Sequence, residues 1–341
     1  MSQLPDPLGS YLSNKSDVGA IWGMAYNRTN QTIYSSAYLK RHSGLREGLA
    51  TNPLGAIYQT VANGTTLFVD LSTLGINVGS IADNTTRGLG APNEPSRDSQ
   101  SFEQIGKIGI GDIDIADDGR ILYAMSLNDK TVYAINIANK TLVGEYPLTV
   151  LKGVNICTGG ELRPFALKFY RSQLYVGTVC DASSSQTVSD LSASVYSLDL
   201  TSGLYSNVLT FPLDYVKGDV SSNCPKSTAD NRLSNWNAWL DTPPTIYCTA
   251  PSSTRRLMAY PQPILADIEV DIDGSLILGL RDTADQWGAS NLHPTNVDGI
   301  SYSIVSSGDI LRACKRPTGF ALPGSAECPN TLNNNEGPEW R

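Results

Sequence analysis

Histidine is almost missing from this sequence: His42 and His293 are the only two among 341 residues. A metal centre built from several imidazoles is therefore excluded. Charge is also scarce. Charged side chains make up 17% of the chain, and 33 acids against 25 bases leave a net charge of −8. A nucleic acid or an anionic membrane surface is not the expected partner, because both call for a cationic face. No stretch approaches the ~18 apolar residues of a spanning helix, so membrane insertion is not expected. The opening residues Met1 to Pro7 lack a basic end followed by an apolar run, so no signal peptide is read there. If the protein is exported, this sequence is then a mature form or a fragment. Also missing are a phosphate loop, a dinucleotide-binding glycine fingerprint and a G-x-S-x-G elbow.

What is present begins with six cysteines, Cys157, Cys180, Cys224, Cys248, Cys314 and Cys328, at wide spacings without a CxxC pair. An even count without zinc spacing points to three disulfides in an oxidising compartment. Sequence order favours Cys157–Cys180, Cys224–Cys248 and Cys314–Cys328, although six cysteines allow about 15 pairings. Six N-x-S/T sequons, at Asn14, Asn27, Asn30, Asn63, Asn84 and Asn139, all precede residue 140. They predict a glycosylated, extracellular protein with sugar on one part of its surface.

Internal repetition sets the fold. Asp112-Ile-Asp-Ile-Ala-Asp-Asp-Gly-Arg-Ile-Leu-Tyr123 is echoed by Asp267-Ile-Glu-Val-Asp-Ile-Asp-Gly-Ser-Leu-Ile-Leu278, and more loosely by Trp22–Tyr34 and Pro164–Tyr175. Each phrase reads as a strand, a polar turn and a second strand. A following phrase places Tyr58, Tyr133, Tyr196 and Tyr302 at one recurring position, and a further strand closes each unit. One such sheet cannot bury both its faces alone, whereas stacked sheets cover one another. The expected fold is an all-β propeller of antiparallel three- to four-stranded blades. Four blades are legible, near 17–75, 108–149, 163–215 and 264–316, followed by an irregular tail at 317–341. The expectation is a single domain that forms part of a six- or seven-bladed ring. Long connections at 76–107, 216–263 and 281–299 are expected to be functional or locally stapled.

Several phrases carry a resemblance: Ile21–Tyr26, Tyr38–Gly44, Gly55–Tyr58, Arg163–Tyr170, Tyr175–Ala182, Phe211–Tyr215, Asn235–Trp239 and Asp267–Gly279. Together they resemble the propeller-like region of uncharacterised secreted or surface proteins that carry SdrD B-like modules of the serine–aspartate adhesin type. The resemblance implies a cell-surface architecture and a propeller continuing past the point that matches Pro338; it implies no chemistry.

Candidate site residues follow from the repeat. Aligning the blades puts Asp112 and Asp267 at one place, with Trp22 and Pro164 as counterparts. Two carboxylates at a central channel suit a calcium ion or an acid–base pair on a sugar, or else simply cap neighbouring backbone. The Asp271/Asp273/Gly274 and Asp114/Asp117/Asp118/Gly119 runs lack the Glu of an EF-hand and read as hairpin turns. Trp236 and Trp239 lie on the connection bounded by Cys224 and Cys248, where they either fill the loop's own small core or are candidates for stacking on sugars or anchoring a partner. His42, in the densest basic spot of the chain, is a candidate ligand-binding residue. The leading expectation is an extracellular structural or adhesive glycoprotein without catalysis, recognising other copies of itself, cell-surface proteins or glycans. The alternatives are a calcium-dependent propeller hydrolase or lyase acting at the channel, and a carbohydrate-binding module.

Overall fold

A computed structural model describes residues 13–49, 52–91, 94–215, 217, 235–244, 248, 254–322 and 325–328. Blade 1 is built from β1 (Ile21–Asn27), β2 (Thr32–Ala37), β3 (Ala56–Val61) and β4 (Gly64–Asp70). Blade 2 follows with β5 (Ile110–Ile115), β6 (Ile121–Ser126), β7 (Thr131–Asn136) and β8 (Leu142–Pro147). Blade 3 takes β9 (Leu162–Tyr170), β10 (Gln173–Cys180), β11 (Ser192–Asp199) and β12 (Leu204–Pro212). After β13 (Arg255–Met258) comes blade 4, with β14 (Pro263–Val270), β15 (Leu276–Asp282), β18 (Asp309–Lys315) and β19 (Phe320–Ala321). Between β15 and β18 the chain detours through β16 (Asn291–Leu292) and β17 (Ser301–Ile304), which join β13 in a small separate sheet. Each blade is a four-stranded antiparallel meander, and the fold is a β-propeller.

Local sequence explains the meanders. The β9–β10 turn is two residues, Arg171 and Ser172, at φ 49° and 62°, the left-handed pair that a tight hairpin demands. In the β5–β6 and β14–β15 hairpins that role falls to Gly119 and Gly274. Side chains alternate between the two faces of each blade, and successive blades seal those faces against each other. Ile113, Ile115 and Leu122 pack on blade 1; Phe165, Leu167 and Leu174 on blade 2; Ile268, Leu276 and Leu278 on blade 3. Each fully buried Leu or Ile contributes about 1.5–3 kcal/mol relative to exposure.

Three sequence expectations change here. Tyr58, Tyr133 and Tyr196 do share a position on β3, β7 and β11, but Tyr302 belongs to β17, outside blade 4. The detour repeats the aromatic phrase without repeating its place in a blade. The segment read as an irregular tail contributes β19, the outer strand of blade 4. Finally, the strand pairs Ala25–Tyr34, Asp114–Tyr123, Lys168–Tyr175 and Glu269–Ile277 are equivalent across the blades. Counting back two residues makes Gly23 and Ala166 the counterparts of Asp112 and Asp267, not Trp22 and Pro164. Bulges near the start of each inner strand and unequal hairpin lengths shift the alignment.

Cys157–Cys180 and Cys314–Cys328 are disulfides with Cα–Cα separations of 5.3 and 5.6 Å. Cys248 is disulfide-bonded as well, and Cys224 lies outside the described residues. Among the described residues no helix is long and apolar enough to cross a membrane.

Candidate functional site

Two of the long connections and the loop that carries His42 meet on one side of the ring. Arg41 ties them together: its Nε donates to the Asp98 carbonyl at 3.0 Å and its Nη2 to the Leu292 carbonyl at 3.0 Å, with further bonds to the carbonyls of Arg97 and Gln286. Beside it Arg87 and Asp98 form a two-pronged ion pair at 2.7 and 3.0 Å, both side chains fully buried. Burial raises the Asp98 pKa, but the bonds from Arg87, the His42 amide and Ser101 outweigh it, so the group lies below the usual carboxylate range.

This knot holds His42 in a left-handed backbone conformation, φ 66°, with its N–H on Asp98 Oδ2 at 2.9 Å. Such strain in a non-glycine residue persists only where surroundings over-determine it. The imidazole Nδ1 stands 2.7 Å from Ser96 Oγ. Ser96 is fixed in turn, donating its N–H to Asn291 Oδ1 at 3.3 Å and accepting from the Leu292 amide at 3.1 Å. Burial drives the His42 pKa down to about 3, and the Arg41 charge adds to the effect. The ring is therefore neutral at working pH. His42 and Ser96 line a cavity of about 780 Å³ together with Asn84, Glu47, Glu94 and Asn291. Its walls are rich in amides, carboxylates and hydroxyls, suited to a polar, hydroxylated ligand.

His42 was legible from sequence only as a rare residue in a basic spot. Ser96 was missed: 54 positions away on another loop, it carries no local signal. The length of the 76–107 and 281–299 connections was the one available clue. The other histidine, His293, sits against Trp287 and Tyr302 in a small aromatic cluster, with Nδ1 accepting from the Asn296 amide at 2.9 Å.

The remaining candidates are placed differently. Asp112 and Asp267 do line a common cavity of about 230 Å³ at the centre, with Lys168 and Glu269. Yet Asp112 spends its oxygens on the amides of Ile113 (2.9 Å) and Leu167 (3.1 Å), the backbone-capping role. Burial raises its pKa well above the carboxylate norm. Burial also raises Asp267, followed by the charge of Glu269. Among the described residues no group of three His, Cys, Asp or Glu side chains gathers at metal-binding spacing. Trp236 and Trp239 are buried, at 0% and 3% exposure, so neither ring offers a face to a ligand. They fill the core instead, with Trp239 Nε1 donating to the Pro263 carbonyl at 2.9 Å and Trp236 Nε1 to Tyr215 Oη at 3.2 Å. Among the sequons, Asn14, Asn30, Asn63 and Asn139 are exposed. Asn27 is buried and donates to the Gly119 carbonyl. Asn84 commits its amide to the Leu45 carbonyl and Glu47.

No family model matches the chain. It is 25% identical over 335 residues to Colossin-B of Dictyostelium discoideum; the match takes in 95% of this chain and spans only 8% of that relative's length. Among solved structures it is similar to a gluconolactonase of Xanthomonas campestris, at TM-score 0.33 and 11% identity over 90% of this chain and 79% of that one. It is also similar to a periplasmic gluconolactonase of Pseudomonas aeruginosa, at TM-score 0.33 and 10% identity over 89% and 58%. Similarity at this level identifies no residue of a site. The expectation of a chain without catalysis is withdrawn on this chain's own geometry, because it sets a serine–histidine pair on the wall of an open polar cavity.

Proposed function

We propose that this chain is a propeller hydrolase of carboxylic esters, including lactones, acting at the His42–Ser96 cavity and not at the central channel. The observation that carries the reading is the 2.7 Å contact between Ser96 Oγ and the Nδ1 of a neutral, strained His42 on the wall of an open polar cavity. In the first step Ser96 Oγ bonds to the acyl carbon while its proton passes to His42 Nδ1. The carbonyl re-forms, the C–O bond to the alcohol breaks, and His42 returns the proton to the leaving oxygen. Water then attacks the acyl-serine by the same route, releasing the acid and restoring both residues. Arg87 and Asp98 are positioning residues, holding the His42 amide and through it the ring.

The reading of the protein as exported and glycosylated draws on the disulfides and on four exposed sequons, Asn14, Asn30, Asn63 and Asn139. A cell-surface setting draws on the resemblance to surface proteins with SdrD B-like modules.

The test is incubation with a fluorophosphonate serine probe, alongside turnover of p-nitrophenyl acetate and aldonolactones. Labelling at Ser96 and turnover abolished in Ser96→Ala and His42→Gln support the reading. A folded chain that neither labels at Ser96 nor turns over either substrate class overturns it.

A further inference from the structure

Among the described residues, the small sheet of β13, β16 and β17 has no counterpart beside blades 1 to 3, and its edge meets the serine loop. The Ser96 N–H donates to Asn291 Oδ1 at 3.3 Å, and the Ser96 carbonyl accepts from the Leu292 amide at 3.1 Å. Asn291 is fixed in turn. Its backbone pairs with Tyr302 of β17, and its Nδ2 donates to the Ala289 carbonyl at 3.1 Å. The nucleophile loop is thus registered on β16 by one side chain and one backbone bond.

Gly288 stands between the two halves of the pair. Its N–H donates to the Ala284 carbonyl at 3.2 Å and its carbonyl accepts from the Ile304 amide at 3.1 Å, so its backbone is held from both sides. Its φ is 61°, in the left-handed region that favours glycine. A Cβ at this position meets His42 Cδ2 at 3.3 Å and Asn291 Nδ2 at 3.0 Å, both tighter than ordinary van der Waals contact. Any side chain there must displace the imidazole, the amide that holds Ser96, or both. Gly299, in the same connection, has a φ of 66°, and among the described residues nothing lies within 4 Å of its Cβ position. The two glycines share a backbone requirement, and only Gly288 adds the contact.

We propose that Gly288 and Asn291 are positioning residues for the serine–histidine pair, an inference that rests on the ester-hydrolase reading above. Asn291 sets where Ser96 stands, and the bare Cα of Gly288 lets the His42 ring come within 2.7 Å of Ser96 Oγ. The detour that interrupts blade 4 is the frame that aligns two loops from elsewhere in the chain. A small displacement of either partner lengthens the path of the proton and slows the chemical step. Gly288 lies behind the cavity wall formed by Ala289, Ser290 and Asn291, so its replacement spares substrate binding.

The test compares Gly288→Ala, Asn291→Ala and Gly299→Ala by fluorophosphonate labelling rate, p-nitrophenyl acetate kinetics and the His42 ring resonances, with near-UV circular dichroism to establish folding. Gly288→Ala is expected to slow labelling and lower kcat roughly tenfold or more, with KM within about twofold, and to shift the His42 Hδ2 resonance. Asn291→Ala is expected to slow labelling to a similar extent. Gly299→Ala, which strains the same kind of backbone away from the pair, is expected to match wild type in labelling and in the His42 resonance. A folded Gly288→Ala or Asn291→Ala chain that labels at the wild-type rate overturns the proposal. So does a Gly299→Ala chain slowed as much as Gly288→Ala. If the wild type neither labels nor turns over, the ester-hydrolase reading falls by itself, and the His42 resonance decides the placement. Movement in Gly288→Ala but not in Gly299→Ala upholds the contact, and an unmoved resonance in both overturns it.

Discussion

Asp112 Oδ2 accepts the Leu167 N–H at 3.1 Å, so a carboxylate on one inner strand satisfies backbone on the next. Asp114 does the same for Phe169, and Asp117 for Ser172 at 3.3 Å, each spanning 55 positions. Inner strands in this fold are too splayed to pair as a sheet, and their channel-side amides need another acceptor. An Asp112→Ala variant leaves the buried Leu167 amide without one, and is expected to lose about 1–3 kcal/mol in urea denaturation. Asp112→Asn, which keeps one acceptor oxygen, is expected to lose less.

His42 titrates far below the ordinary histidine range, at about 3, because burial disfavours its charged form. The unfolded chain takes up this proton below about pH 6.5 while the folded chain does not. Stability from this group is thus fully present above pH 6.5 and declines as the pH falls below it. With two histidines in the chain the NMR assignment is simple. The His42 ring resonances are expected to stay fixed from pH 8 to 5, and His42→Gln to flatten the acid limb of stability.

Asp282 behaves in the opposite sense. Burial pushes it up to about 7, although the Gln262 amide bonds to it at 3.0 Å and Lys217 favours its charge. Between the unfolded value of about 3.9 and 7, the folded chain holds a proton that the unfolded chain has released. Its contribution is present below about pH 4 and is lost as the pH rises to 7. Urea midpoints of wild type relative to Asp282→Asn are expected to fall across that window.

The Cys157–Cys180 bridge joins residues 23 positions apart and ties the entry of β9 to the end of β10. Replacing both cysteines by serine is expected to cost about 3 kcal/mol, read as a lower urea midpoint at unchanged slope.

Glycosylation should divide the sequons by exposure. Glycopeptide mass spectrometry of chain secreted from a eukaryotic host is expected to find sugar at Asn14, Asn30, Asn63 and Asn139. Asn27 and Asn84 should be bare, since their side-chain amides are already spent on the protein's own carbonyls and, for Asn84, on Glu47 as well.

The sequence by itself determined the blades. Alternating apolar residues, turn-forming Asp-Gly pairs and the recurring tyrosines are local signals with a two-residue period, and they specify antiparallel meanders wherever they occur. It did not determine what those residues face. Asp112 and Asp267 hold one place in the repeat, yet Asp112 is spent on the amide of the next inner strand while Asp267 faces the central cavity, because only stacking supplies that strand. Trp236 and Trp239 read in sequence either as display residues or as core filling, and the structure makes them core, because burial depends on what the distant blades 3 and 4 bring to them. Ser96 and His42, 54 positions apart, become a pair only when Arg41, Arg87 and Asp98 draw three loops together. Hydrogen bonds and ion pairs across such distances leave no periodic trace, and so the site was decided by tertiary structure alone.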